Sequence, residues 1–272
     1  MTTFNVHPPA GSRIPILLSV PHCGTAFPDE LINQYKPNLI RTPDDTDWFV
    51  NQLYDFAPSI GITMITAVYN RWVIDLNRDP ENKPLYSDGR IITGLCPVTN
   101  FLGEPLYVDG RDKVNASEIE RRLVTYFWPY HQKIKDLLED LKAEFGRVLL
   151  WDCHSIRQYV NTIYKEKFPD LILGDADGVS ASPGIIEVVF NNLKSSSYSV
   201  SHNFPFKGGF ITRHYGKPLE NQQALQLEMN KSNYMDDTET HYDAKRAEKM
   251  RTLLKRTLLA LAESHGKKAS QD

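Results

Sequence analysis

Two short apolar runs, IPILLSVPH at residues 14–22 and RVLLWDCH at 147–154, restrict this chain more than any other feature. Each has the length of a strand, and each closes on a histidine. A run that is apolar at consecutive positions needs cover on both faces, which is the condition of a strand inside a sheet flanked by helices. The sequence also supplies the helices. Ile119, Leu123, Tyr126, Phe127, Tyr130, Ile134, Leu137, Leu138 and Leu141 make one stripe of a helix expected over 117–145. Ser117 with Glu120 suits a capping box at its start, and Gly146 suits its end. A second amphipathic helix is expected over 244–264. DDTDWFVNQLYDFA supplies another, with Asp44, Asp45 and Asp47 in or before its first turn, where the helix dipole favours negative charge.

GITMITAVYNRWVIDLNRDP reads as two strands, about 62–68 and 72–76, and GGFITRHYG and QALQLEM as two later ones. Strands alternating with helices predict an α/β domain with helices on both faces of a largely parallel sheet. Residues 79–115 are too long for a passive connection, so they are expected to be functional or to hold short elements. Neither a repeat nor a linker divides the chain, and residues 1–272 are expected to form one domain.

Composition narrows the partners. A formal net charge of -3 gives no basic field for nucleic acid, so an anion has to be recognised by local arginines. No run of 18 apolar residues is present to span a membrane. The segment before Ile14 reads as a tail, without the basic start or small-residue cleavage site of a signal peptide. Three cysteines, Cys23, Cys96 and Cys153, without CxxC spacing, fit a reduced, cytoplasmic protein.

Ligands gather beyond the carboxyl ends of the strands in such sheets. His22 and His154 both fall there, and two histidines with a carboxylate are a common ligand set for catalytic zinc. Asp47 is the preferred third ligand and Asp45 the reserve; helix capping is the plain alternative for either. Arg71, Asn77 and Arg78 surround one apolar segment, and a guanidinium fork matches a carboxylate. Arg213, in KGGFITRHYG, offers the same chemistry. Glu228 is the one charge in an apolar strand. It is either a general base, which a metal hydrolase needs, or an edge residue turned to solvent. GxSxG, Walker and GxGxxG motifs are absent. A Cys–His nucleophile is disfavoured because neighbours on a strand, such as Cys153 and His154, point to opposite faces.

In order along the chain, SVPHCG, DDTDWFVNQLY, YNRWVIDLNRDP, TGLCP, GEPLY, WDCHSIR, GDADG, FKGGFITRHYG and ALQLEMNKSNYM resemble the N-formylglutamate amidohydrolases of histidine breakdown. The resemblance spans about residues 14–240. That family in turn is similar to the zinc carboxypeptidase and aspartoacylase group. The likeness implies a three-layer αβα sandwich with a central mixed, largely parallel sheet, one zinc ion, and a small anionic substrate. It gives Asn77 and Arg78 the substrate carboxylate, His154 a zinc-ligand role and Glu228 the catalytic role. One departure stands out. The related group takes two ligands from His-x-x-Glu, whereas His22 is followed by Cys23, Gly24 and Thr25, which moves the carboxylate ligand to Asp47. The implied reaction is hydrolysis of N-formyl-L-glutamate to L-glutamate and formate.

Overall fold

The computed structural model describes residues 2–85, 93–108 and 114–266. Its strands are β1 (Phe4–His7), β2 (Ile16–Val20), β3 (Thr63–Ala67), β4 (Val148–Ile156), β5 (Leu171–Gly174), β6 (Val200–His202) and β7 (Gln222–Asn230). The helices are α1 (Asp29–Ile32), α2 (Pro37–Ile40), α3 (Val50–Leu53), α4 (Ala116–Arg122), α5 (Trp128–Phe145), α6 (Pro183–Lys194), α7 (Phe210–Tyr215) and α8 (Ala244–Gly266).

All seven strands join one sheet in the order β1-β3-β2-β4-β7-β5-β6. The middle of the sheet is parallel: β3, β2, β4 and β7 all run one way. The pairs β1–β3 and β5–β7 are antiparallel, so the sheet is mixed. Alternation along each strand feeds two cores. Ile16, Leu18, Trp151 and Cys153 pack with residues of α3, α6 and α8. Leu17, Leu150 and Ala224 pack with residues of α5 and α7 on the other face. Every residue of β2 and β4 is buried, as their apolar character requires.

Four expectations need correction. The tail before Ile14 contains β1, which closes the sheet edge against β3. Residues 72–76 form no strand: Val73 N–H reaches back to the Asn70 carbonyl and Asn77 N–H to the Asp75 carboxylate. Their apolar side chains fill the core from an irregular path, since β1 and β2 already occupy both edges of β3. GGFITRHYG is helical over α7, because the Asn77 side-chain oxygen accepts from Ile211 N–H in its first turn. The long helix is capped by Asn115, whose oxygen accepts from Glu118 N–H at 2.9 Å, and not by Ser117. A π-turn over Leu123–Phe127 joins α4 to α5, whose second residue, Pro129, has no N–H to give the helical ladder. Cys153 and His154 do diverge across the strand.

His131 of α5 is buried, stacked on Phe127, with Nε2 donating to the Leu76 carbonyl at 2.9 Å and Nδ1 facing the Tyr215 hydroxyl. Burial, helped by nearby His214 and opposed by the Leu76 hydrogen bond, pushes its pKa down to about 3. An unfolded chain binds this proton near pH 6.5 while the native state refuses it, so stability is lost as pH falls below that value. His131→Gln keeps a donor and removes the proton uptake. Thermal melts at pH 7 and pH 4 should therefore show a smaller acid loss in the variant than in the wild type; parallel losses would mean that His131 is charged in the native state.

Candidate active site

Because β3, β2, β4 and β7 are parallel, their carboxyl ends lie on one edge of the sheet, where chemistry collects in this architecture. His22 follows β2, the Arg71–Arg78 segment follows β3, and His154 and Glu228 stand directly opposite each other near the ends of β4 and β7. Asp47 arrives from the loop before α3. Its N–H donates to the His22 carbonyl at 3.0 Å, and left-handed Phe49 (φ 63°) turns the chain away two residues later.

His22, Asp47 and His154 are buried, and one donor atom from each lies within 4.8 Å of the others. His22 Nε2 is 2.7 Å from Asp75 Oδ1, which places the ring hydrogen there. His154 Nε2 is likewise 3.0 Å from Asp152 Oδ2. Both rings therefore turn Nδ1 inward, 3.7 Å and 3.1 Å from Asp47 Oδ2. His22 Nδ1 is buried with no hydrogen-bond partner among the described residues. An unmet lone pair in such a place costs free energy unless a ligand meets it. Two histidines oriented by outer carboxylates, plus one inner carboxylate, form a donor set that fits a divalent ion.

The charges agree with that arrangement. Burial opposes ionisation of Asp47, yet His154 and His22 hold its carboxyl well below the usual range. Burial also opposes charge on His154, but Asp152 and Asp47 outweigh it and raise its pKa well above the ordinary imidazole value. This is a site that gathers positive charge. Asp75 is kept ionised against its burial by Arg71 and Arg78.

The sequence-derived residues separate into groups. Arg71, Asn77, Arg78, Gln226 and Glu228 line the same cleft as the three metal-ligand candidates, together with Thr93, Phe101, Ile163 and Phe206. The cleft measures about 650 Å³ counted with its open mouth. Arg71 binds Asp75 at 2.6 Å, and Arg78 donates to the Thr93 carbonyl at 2.9 Å. Asn77 is tied up: its nitrogen lies 3.1 Å from Asp152 Oδ2 and 2.9 Å from His154 Nε2, and its oxygen accepts from Ile211 N–H. A side chain on Gly209 would collide with that amide, its Cβ falling 2.4 Å from the Asn77 nitrogen. Arg213 is exposed on α7 outside the cleft, donating to the Gly208 carbonyl. Asp45, the reserve ligand, accepts instead from the Trp72 indole and from Phe101 N–H.

Glu228 is half-buried on the cleft wall. Burial, reinforced by Asp47 and Asp152 and opposed by His154, pushes its pKa up to about 8. Gln226 steadies it: its oxygen accepts from Gly209 N–H at 2.8 Å, which turns its nitrogen toward Glu228 at 3.4 Å. The thiols take no such part. Burial raises the Cys23 pKa to about 12 and that of Cys153 well above its usual value, so neither is a ready thiolate. Sequence reasoning missed Asp75, Asp152, Gln226 and Phe101. The signal for two of them was available, since Asp152 and Gln226 lie two residues before His154 and Glu228 and so share their faces.

Residues 14–235 match the family described as N-formylglutamate amidohydrolase. The chain belongs to that family. An N-formylglutamate deformylase of Pseudomonas putida is 40% identical over 252 residues, covering 92% of each chain. Another, from Pseudomonas aeruginosa, is 41% identical over 253 residues, or 92% of this chain and 93% of its own. The crystal structure of an N-formylglutamate amidohydrolase from Ralstonia eutropha JMP134 superposes with a TM-score of 0.80 at 28% identity over 97% of both chains. A gene product of Agrobacterium tumefaciens shares the fold, with a TM-score of 0.72 at 16% identity. This protein is accordingly a hydrolase with a mixed α/β sheet. No described helix of the enzyme is long and apolar enough to cross a membrane.

Proposed function

We propose that the enzyme hydrolyses N-formyl-L-glutamate to L-glutamate and formate as one catalytic domain spanning 1–272, with a zinc ion on His22, Asp47 and His154. The observation that carries the metal is the buried, partnerless Nδ1 of His22 beside Asp47 and His154 Nδ1. The substrate rests on the family and on relatives named as N-formylglutamate deformylases. A cytoplasmic place in histidine degradation follows from the same reading.

When bound, zinc supplies Lewis-acid chemistry, polarising the acyl oxygen and acidifying water. The chain's own residues do the rest. Glu228, on the cleft wall directly across from His154, takes a proton from the attacking water and returns it to the departing amine. Asp75 and Asp152 orient the two imidazoles so that Nδ1 of each faces Asp47. Arg71 and Arg78 hold substrate carboxylate and so bring the small formyl group to the reacting end. Arg213 stands outside the cleft on α7 and is left out of the carboxylate site.

Metal analysis of protein purified without chelator, combined with rates on formyl, acetyl and succinyl glutamate, tests this directly. Stoichiometric zinc and preference for the formyl substrate are expected; a metal-free protein that stays inactive on zinc addition would sink the reading. Arg78→Ala should raise KM about 10–150-fold with kcat largely kept, the effect of one lost charged contact of about 1.5–3 kcal/mol. Arg71 stays on Asp75 in that variant, so the His22 support survives.

A further inference from the structure

We propose that Phe101 is a positioning residue for substrate binding. Its ring fixes the plane of the Arg71 guanidinium, so that the edge not held by Asp75 faces a substrate carboxylate. The inference rests on the carboxylate-binding role given to Arg71 above.

Arg71 is met by a ring on one side and by a carboxylate at one nitrogen. Arg71 Cζ lies 4.7 Å from the centre of the Phe101 ring, and Nη2 is 2.6 Å from Asp75 Oδ2. Among the described residues, that is the only hydrogen bond the guanidinium makes to protein, although Arg71 is buried. Its Nε and Nη1 are therefore left for a ligand in the cleft that both side chains line. A guanidinium stacked on an aromatic face is held against rotation, whereas an ion pair through one nitrogen alone leaves its plane free to turn.

The backbone that carries the ring is anchored through the residue next to Arg71. Phe101 N–H donates to both oxygens of Asp45 at 3.1 Å, and Asp45 also accepts from the Trp72 indole at 2.8 Å. Arg71, Trp72, Asp45 and Phe101 thus form a closed loop of contacts. On the other flank the Thr162 hydroxyl donates to the Phe101 carbonyl. Asn100 folds the turn beyond it by accepting from Leu102 and Glu104 N–H. All of these fastenings act on backbone, so exchanging the ring leaves the loop in place.

Glutarate, a dicarboxylate with no scissile bond, is the probe, its binding measured by calorimetry. Phe101→Leu keeps apolar bulk and should weaken glutarate about five- to tenfold, while Phe101→Tyr stays within about twofold. KM for N-formylglutamate should rise by the same factor with kcat kept. In an Arg71→Lys background the Leu substitution should cost less than about twofold, because the planar group it stacks on is gone. Equal losses in both backgrounds, a Leu variant that binds like wild type, or wild type that does not bind glutarate would each overturn the proposal. Wild type that shows this ring dependence in glutarate binding yet does not hydrolyse N-formylglutamate would support it and overturn the substrate assignment instead.

Discussion

Glu228→Gln should lower kcat on N-formyl-L-glutamate by about 10²–10⁴-fold, the range that one positioned general acid–base supplies. Metal content should not change, because Glu228 lies outside the His22, Asp47 and His154 cluster. Stability should hold or improve. Burial, Asp47 and Asp152 all raise the Glu228 pKa, which means that folding works against its charge, and a neutral amide of equal size removes that conflict. Gln226 can still pair with the amide oxygen. The two effects together are diagnostic: a residue kept for packing would lose stability first, whereas one kept for chemistry loses turnover alone. Wild-type turnover in this variant would take proton transfer away from Glu228; a lower melting temperature would make its role structural.

What could be read from the sequence depended on how local the cause was. The strands β2 and β4 were legible because an uninterrupted apolar run is a direct consequence of burial on both faces. The histidines at their ends followed from topology alone. Residues 72–76 carry the same apolar signal but form no strand, since the place beside β3 is taken by β1 and β2, and no local pattern reports which neighbour wins an edge. GGFITRHYG failed similarly: its β-branched residues suggest a strand, but Asn77, 134 positions away, accepts from the first turn and makes a helix possible. That switch also moved Arg213 from an expected strand end to an exposed helical surface.

The same limit applies within the site. The sequence offered three acidic residues before α3 and could not divide their work. In the fold each has a distinct job: Asp44 pairs with Arg157, Asp45 ties Trp72 to Phe101, and Asp47 faces both histidines. The division arises from long-range partners, which spacing does not encode. By contrast, the outer carboxylate Asp152 was legible in principle, because a strand puts residues 152 and 154 on one face.

Three single substitutions turn that division into the second large effect. Asp47→Asn should abolish stoichiometric metal binding, since it removes the only carboxylate among the three inner donors. Asp75→Asn should weaken metal by about 10–100-fold and no more, the cost of disturbing an outer partner that orients a ligand imidazole. Asp45→Asn should leave metal affinity unchanged and lower stability by about 1–3 kcal/mol, because the Trp72 indole and Phe101 N–H then compete for a poorer acceptor. Titration of the metal-free proteins with zinc, paired with thermal melts, reads both quantities. The order matters more than any single value. A general loosening of the loop would make metal affinity and stability fall together in all three variants. Separate roles make metal loss fall from Asp47 to Asp75 to Asp45, with a stability cost at Asp45 that brings no loss of metal. An Asp45→Asn protein that bound no zinc, beside an Asp47→Asn protein that did, would return the third ligand to Asp45.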